Sequence, residues 1–208
     1  MTEKKILILF FHPRYENSFT NKKLIAAAST LNVITIRDMY DIYPDYNIDI
    51  KAEQQLLLEH DIIIWQHPFY WYSCPPLMKQ WIDLVLEHGW AYGKTGDKLK
   101  GKAVMNVFSS GGTFEVYQKN GRNRFTYREL LSPFDQTAHL CGLHYLPPYI
   151  VPGANRITQE VLEEYCIRYI EILNFLQSPK MDEQKLATIE YFNDIKFGTW
   201  QETFYKTH

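Results

Sequence analysis

Three segments of the chain have the residue types needed to hold a flat ligand that bears a phosphate. Residues 18–21 (SFTN), with His12 before them, place hydroxyl and amide groups where a helix is predicted to begin, and helix amino termini attract phosphate. Residues 69–72 (FYWY) supply four aromatic rings. Residues 109–112 (SSGG) let backbone N–H groups approach a ligand closely. A phosphate site, an aromatic wall and a polar backbone edge together suit a flavin mononucleotide.

Each of these segments also has a plain structural role when it is taken alone. Ser18 is an ordinary helix cap, and the pair Gly111-Gly112 is common in turns. Aromatic residues that follow a strand often only cover a hydrophobic core. What favours a ligand site is the expectation that all three segments meet at one edge of a sheet, and this depends on the elements that precede them.

Predicted strands and helices alternate along the chain. The predicted strands are residues 6–11, 33–37, 62–65, 103–109 and 144–151, and the predicted helices are about residues 19–31, 52–60, 77–87, 130–141 and 158–177. Residues 38–50 and 114–126 are predicted to be irregular, the second as a mobile excursion. Pro68 ends the third strand, and Pro75-Pro76 begin the next helix, so the aromatic loop is held at a strand's carboxyl end.

This alternation predicts an α/β protein with a flavodoxin-like three-layer sandwich. The expected sheet has five parallel strands in the order 2-1-3-4-5, with helices on both faces. In such sheets ligands bind outside the carboxyl ends of the strands. The three segments follow strands one, three and four, so they are expected to converge there.

Residues 1–177 are expected to form one domain and residues 178–208 an extension.

Composition excludes several other classes of protein. The net charge of −2 argues against a nucleic-acid-binding surface. Three widely separated cysteines suggest no disulfide framework and fit a reducing cytosol, and no segment is long and apolar enough for a signal peptide or a membrane span. The protein is therefore expected to be cytoplasmic.

Common catalytic motifs are absent from the sequence. There is no G-x-G-x-x-G after a strand, and no Walker A, H-E-x-x-H or G-x-S-x-G motif occurs. The histidines show no spacing typical of metal ligands, so no metal site is predicted. Without a dedicated dinucleotide fold, an NAD(P)H substrate would bind transiently by stacking over a flavin.

The longest motifs resemble a known family. The sequences SFTN, QHPFYWYSCPPLMKQWID, HGWAYG and SSGG resemble NAD(P)H quinone oxidoreductases of flavodoxin-like fold. The sequences YPDYNIDI and CGLHYLPP strengthen a resemblance to the KefF/KefG ancillary proteins of glutathione-gated potassium efflux. The resemblance spans about residues 5–177. It implies FMN, with FAD as the alternative, and a homodimer with two active sites at the interface.

The resemblance also implies which residues bind the cofactor. They are His12, Ser18, Phe19, Thr20, Asn21, Phe69, Tyr70, Trp71, Tyr72, Ser109, Ser110, Gly111 and Gly112. In the family a tyrosine and a histidine after the Gly-Gly turn assist charge and proton movement. Tyr117 has the tyrosine's spacing and is the predicted catalytic residue, but no histidine follows it in the sequence QKNGRN. This departure affects the predicted proton path and the substrate specificity.

The sequence therefore predicts an FMN-dependent NAD(P)H:quinone oxidoreductase that transfers a hydride from NAD(P)H through flavin to a quinone in a ping-pong cycle. A different class of function is a regulatory subunit of a glutathione-gated potassium-efflux transporter, peripheral on the inner face of the membrane and with incidental redox activity. A flavodoxin-type electron carrier is disfavoured, because carriers use a strongly charged face and this chain is nearly neutral.

The extension after residue 177 is rich in large apolar side chains, unlike a disordered tail. Leu186, Ile189, Phe192 and Ile195 recur every three residues, and Phe197, Trp200, Phe204 and Tyr205 add further rings. Two placements remain open at this point. The extension could pack on its own domain, or it could wrap the partner subunit near the other flavin.

Overall fold

The computed structural model describes residues 3–179, 181–186 and 188–195. The strands are β1 (Ile6–Phe10), β2 (Ile34–Asp38), β3 (Ile62–Pro68), β4 (Ala103–Ser109), β5 (His144–Tyr145) and β6 (Tyr149–Val151). The helices are α1 (Phe19–Ala28), α2 (Met39–Ile42), α3 (Ile50–Glu59), α4 (Pro76–Val85), α5 (Tyr127–Leu130), α6 (Ser132–Leu140), α7 (Gln159–Gln177) and α8 (Glu183–Leu186). Within these ranges no helix has both the length and the apolar character needed to cross a membrane.

The strands form one parallel sheet in the order β2-β1-β3-β4-β5, and β6 also pairs with β4. The predicted order is confirmed, but the predicted single fifth strand is two short strands. Pro147 and Pro148 separate them, because proline has no N–H to donate to a sheet. Pairing with β4 pauses after the Leu146 N–H donates to the Val104 carbonyl and resumes at Tyr149.

The sheet is buried on both faces, as its apolar central strands predict. Side chains alternate along β1, so that Leu7 and Leu9 join the core beneath α3, α4 and α6. Ile6 and Ile8 join the opposite core beneath α1 and α7. The chain therefore has the expected helices on both faces of the sheet.

Several element boundaries differ from the predicted ones for local reasons. The predicted helix 130–141 corresponds to α6, with Pro133 near its start, and the short α5 precedes it, begun by a capping box of Thr126 and Glu129. Residues 38–50, predicted as irregular, contain α2, which the Asp38 side chain caps. Residues 114–126 contain the short 3₁₀ turn Phe114–Val116.

A buried carboxylate on α3 ties together the elements at the β2 side of the sheet. Glu53 is fully buried and accepts hydrogen bonds from Arg37 on β2 (2.6 Å), the Tyr43 hydroxyl (2.9 Å) and the Trp81 indole N–H on α4 (3.0 Å). A buried charge needs such partners, because removing it from water is costly. Since α4 follows the aromatic loop directly, Glu53 also helps to fix the helix that holds this loop.

The described part of the C-terminal extension lies along β6. The side-chain amide of Asn193 accepts from the Ile150 N–H (3.0 Å) and donates to the Ile150 carbonyl (2.8 Å). The Phe192 N–H donates to the Pro148 carbonyl (3.0 Å), and Arg168 on α7 donates to the Asn193 carbonyl (3.2 Å). The predicted apolar residues Leu186, Phe192 and Ile195 are buried in the α1–α7 core. Ile189 is partly buried against the same core, and the remaining predicted tail residues, Phe197, Trp200, Phe204 and Tyr205, lie outside the described residues.

We expect Glu53→Gln to lower the free energy of unfolding by about 3 kcal/mol, because it leaves Arg37 without its buried counter-charge. Urea denaturation followed by far-UV circular dichroism measures this change. Glu59→Gln on the exposed side of the same helix is the matched control and should change stability by less than about 0.5 kcal/mol. Equal effects of the two substitutions would show that Glu53 does not fasten the elements around it.

Candidate active site

A cleft of about 810 Å³ opens at the carboxyl ends of β1, β3 and β4. Most of the predicted site residues line it: His12, Ser18, Phe19, Thr20, Asn21, Phe69, Tyr70, Ser109, Gly111, Gly112 and Tyr117. The structure thus brings the three predicted segments and Tyr117 to one cleft. Trp71, Tyr72 and Ser110 do not line the cleft.

One end of the cleft is the amino terminus of α1. The Ser18 hydroxyl caps this helix by accepting from the Asn21 N–H (3.1 Å). The Asn21 side-chain amide donates to the Ser109 hydroxyl (2.9 Å), which joins the β1–α1 loop to the end of β4. The Asn21 Oδ1 atom is buried and has no hydrogen-bond partner. An unpaired buried acceptor is costly, so this position favours a ligand with a donor group.

The imidazole of His12 is neutral in this environment. Burial lowers the pKa of His12, and its Nδ1 atom accepts a hydrogen bond from the Arg14 N–H (3.1 Å). The proton of the neutral ring therefore lies on Nε2. His12 can donate one hydrogen bond without bringing a full charge to the cleft.

The aromatic loop divides its four rings between the core and the surface. Phe69 is buried and stacks on Phe108 with ring centres 4.8 Å apart. Trp71 and Tyr72 have positive φ angles of 48° and 62°, a backbone conformation that is unfavourable for large residues. The Trp71 side chain is 91% exposed. Trp71 and Tyr72 do not line the cleft of the single chain, and their role as a cofactor wall stays a prediction.

The glycines of the turn after β4 lie close to neighbouring side chains. A Cβ at Gly111 would lie 2.9 Å from Asn155 Nδ2, and a Cβ at Gly112 would lie 2.7 Å from the ring of Tyr117. Ser110 lies behind this turn and not in the cleft. Its backbone N–H donates to the Val151 carbonyl (2.9 Å), and its hydroxyl accepts from the Gly112 N–H (3.3 Å). Ser110 therefore shapes the glycine turn.

Tyr117 is held in place by a stack of rings. Its ring lies parallel to that of Tyr127, with centres 3.9 Å apart, and the Tyr127 hydroxyl donates to the Gly112 carbonyl (3.0 Å). Phe114 contacts Tyr127 (5.4 Å) and also Tyr191 of the C-terminal extension (5.3 Å). The Tyr117 hydroxyl makes no hydrogen bond to a described residue and can donate to a ligand.

A buried polar network lies beside the cleft at the end of β3. The Asn106 side-chain amide donates to His67 Nε2 (3.0 Å), so the ring proton lies on Nδ1 and donates to the Pro68 carbonyl (3.0 Å). The Tyr145 hydroxyl donates to Asn106 Oδ1 (2.6 Å). Burial lowers the pKa of His67 to about 4, so this ring is neutral at physiological pH.

The model of a protein family described as flavodoxin-like fold matches residues 4–173. The chain belongs to this flavodoxin-like family. Among curated relatives of this flavodoxin-like protein is the glutathione-regulated potassium-efflux system ancillary protein KefG of Pectobacterium atrosepticum. It is 43% identical over 181 residues, which cover 87% of this chain and 97% of KefG.

Two solved structures of the same fold are similar to this chain in sequence. General stress protein 14 of Treponema denticola, in complex with FMN, is 37% identical with a TM-score of 0.78, and the match covers 83% of this flavodoxin-like chain and 99% of that one. An NADPH-quinone reductase from P. pentosaceus is 30% identical with a TM-score of 0.74, and the match covers 81% and 96% of the two chains.

Several cleft residues were not predicted from the sequence. They are Arg14, Asn17, Pro68, Arg122, Ala154, Asn155 and Ile157. Asn155 follows β6 and reaches the cleft because the Ala154 N–H donates to the Ser110 carbonyl (2.8 Å). The network around His67 did have a signal in the sequence, since His67 and Asn106 are polar residues within otherwise apolar strands and must find partners.

We expect His67 to make the protein less stable as the pH falls from 6.5 to 4. Its pKa is lower in the folded protein than its ordinary value of 6.5, so the unfolded chain binds the proton first, and stability falls by up to about 1.4 kcal/mol per pH unit. Above pH 6.5 this contribution is constant. Urea denaturation between pH 4 and pH 7 gives the free energy of unfolding at each pH. Its slope against pH should be smaller for His67→Gln than for the parent protein. The exposed His139→Gln should keep the slope of the parent protein, and equal slopes in both variants would contradict this assignment.

Proposed function

We propose that this protein is an FMN-dependent NAD(P)H:quinone oxidoreductase, in which the bound flavin takes a hydride from NAD(P)H and passes it to a quinone in a ping-pong cycle. The observation that supports this most is the Asn21–Ser109 hydrogen bond (2.9 Å). It joins a helix amino terminus to a glycine turn within one cleft and leaves the Asn21 Oδ1 acceptor unpaired. A ligand with a phosphate, hydroxyl groups and a flat polar ring matches these three features.

The α1 end of the cleft would hold the phosphate. The first N–H groups of a helix have no partner within the helix, and the helix dipole favours an anion there. Ser18, Thr20 and Asn17 line this end together with Arg14. A hydroxyl group on the chain that links the phosphate to the ring would satisfy Asn21 Oδ1. His12 can donate from Nε2 without adding a charge.

The β4 end of the cleft would hold the polar edge of the ring. Gly111 and Gly112 leave room for close approach, since side chains there would collide with Asn155 and Tyr117. The Ser110 and Gly112 N–H groups at this turn are already bonded, which leaves the Gly111 N–H to donate to an oxygen that gains negative charge. Tyr117 would donate from its hydroxyl to a quinone oxygen. Its stacking on Tyr127 holds the Tyr117 ring, and so the position of its hydroxyl, in place.

Names of relatives support this proposal and also a second one. General stress protein 14, at 37% identity, is in complex with FMN. The relative at 30% identity is an NADPH-quinone reductase. The KefG relative favours a second candidate function, an ancillary subunit that binds a potassium-efflux transporter at the inner face of the membrane. Quinone reduction by the purified protein supports the first function, and co-purification with such a transporter supports the second.

We also propose that two copies of this chain form a homodimer in the cytoplasm. The exposed rings of Phe19, Tyr70, Trp71 and Tyr72 follow strand ends at or next to the cleft. Large aromatic side chains are typical of the buried centre of an interface. A second chain over this rim would bury Trp71 and give it a role in the site that its position in one chain does not provide.

Purified protein should be yellow and should contain about one FMN per chain, because the cleft offers both a phosphate end and a ring end. Heat release of the cofactor followed by chromatography identifies it and distinguishes FMN from FAD. Anaerobic addition of NADPH or NADH should bleach the flavin absorbance near neutral pH. Protein that takes up neither flavin would contradict the proposed function.

Tyr117→Phe should keep flavin binding but slow quinone reduction by about tenfold to a hundredfold, because it removes one donor to an oxygen that gains negative charge. Stopped-flow measurement of the quinone half-reaction isolates this step. Tyr15→Phe removes the hydroxyl of a tyrosine that does not line the cleft and is the control. If quinone oxidises the reduced flavin of Tyr117→Phe as fast as that of the control, Tyr117 has only a packing role.

A further inference from the structure

The cleft is more positive than the rest of the protein. Among the described residues no Asp or Glu lines it, whereas Arg14 and Arg122 do, although the chain as a whole has a net charge of −2. Neither guanidinium forms an ion pair with a described residue. The acid at position 115 lies outside the lining, and its carboxylate bonds to Thr113. A concave site with one sign of charge attracts ligands of the opposite sign.

The two arginines belong to different loops of the cleft. Arg14 is part of the β1–α1 loop, where its backbone N–H donates to His12 Nδ1 (3.1 Å) and its carbonyl accepts from the Asn17 N–H (3.0 Å). It therefore accompanies the α1 amino terminus, where the proposed function places the cofactor's phosphate. This end already has the helix N–H groups, Ser18 and Thr20 for one phosphate.

Arg122 belongs to the wall that contains Tyr117. The N–H groups of Gly121 and Asn123 donate to the carbonyls of Gln118 and Val116, both at 2.9 Å. A Cβ at residue 121 would lie 2.6 Å from the Glu115 carbonyl oxygen, so only glycine lets the chain cross so closely. The backbone on both sides of Arg122 is thus fixed against the 3₁₀ turn that leads into Tyr117.

We propose that Arg122 determines substrate specificity by binding an anionic group on the substrate that enters beside Tyr117. This inference rests on the proposed function and names the class of its second ligand. A guanidinium binds phosphate, carboxylate or sulfonate groups through two parallel hydrogen bonds, and it stays charged at every physiological pH. The anionic group is either a phosphate of the dinucleotide that donates the hydride or an acidic substituent on the quinone that accepts it.

The matched pair Arg122→Gln and Arg124→Gln tests the inference. Arg124 lies two residues away in the same loop and does not line the cleft, and its positive φ of 64° is equally unfavourable for Arg and Gln. Titration calorimetry of the flavin-loaded proteins with NADP⁺ and NAD⁺ measures binding without turnover. Initial rates with a neutral quinone and with its sulfonated analogue measure the acceptor.

Arg122→Gln should weaken binding of at least one anionic ligand by about tenfold or more relative to Arg124→Gln. The affinity of the parent for that ligand should also fall with added salt more steeply than that of Arg122→Gln. Weaker binding of NADP⁺ alone, of both dinucleotides, or of the sulfonated quinone identifies the 2′-phosphate, the pyrophosphate or the acceptor, respectively. Arg122→Lys keeps the charge and should recover part of the affinity.

Two results would overturn the inference. One is equal binding of every anionic ligand by the two glutamine variants. The other is loss of FMN from Arg122→Gln, which would assign Arg122 to the cofactor's own phosphate. Failure of the proposed function has a different appearance, because the parent protein would then lack flavin or leave NAD(P)H unoxidised. In that case calorimetry with NADP⁺ and NAD⁺ on the flavin-free proteins still decides whether Arg122 binds a phosphate-bearing ligand.

Discussion

Burial of β1, β3 and β4 on both faces is the constraint on which the rest of the structure depends. Every residue of these strands is buried, so an unpaired polar side chain within them is costly, and only Trp65 Nε1 and Gln66 Nε2 lack a partner among the described residues of these strands. His67 and Asn106 bond to each other, and the Gln66 amide oxygen accepts from Tyr169 (2.9 Å). Groups free to meet a ligand are therefore confined to the carboxyl ends of the strands. The cleft lies there because the sheet leaves no other place for reactive polar groups at its centre.

Rigidity of the cleft walls follows from the packing behind them. Tyr127 supports Tyr117 by stacking and supports the glycine turn through its hydroxyl. Burial raises the pKa of Tyr127 well above its usual range, so this hydroxyl remains a donor at physiological pH. Phe114 connects the same group of rings to Tyr191, which lies beyond residues 4–173 of the family match. The C-terminal extension thus supports one wall of the cleft through packed rings, and the Tyr191 hydroxyl also accepts from the Arg128 N–H (3.3 Å).

Strand order could be predicted from the sequence because the apolar runs of β1, β3 and β4 allow few other arrangements. The same reasoning brought Ser18, Asn21 and the glycine turn to one edge. It did not reach positions that depend on local backbone angles or on contacts distant in the chain. Trp71 does not line the cleft and has a positive φ that no pattern in residues 69–72 encodes. Asn155 and Arg122 reach the cleft through hydrogen bonds between loops.

The pairing of Asn193 with Ile150 has a consequence for the newly made chain. An open sheet edge is a template for strands of other molecules, and here a side-chain amide occupies both backbone groups of Ile150 on β6. The residue that closes this edge lies more than forty positions after it and leaves the ribosome later. During synthesis the sheet can therefore assemble while β6 is still unguarded. Chains interrupted before residue 193 should then aggregate more readily than chains that contain Asn193.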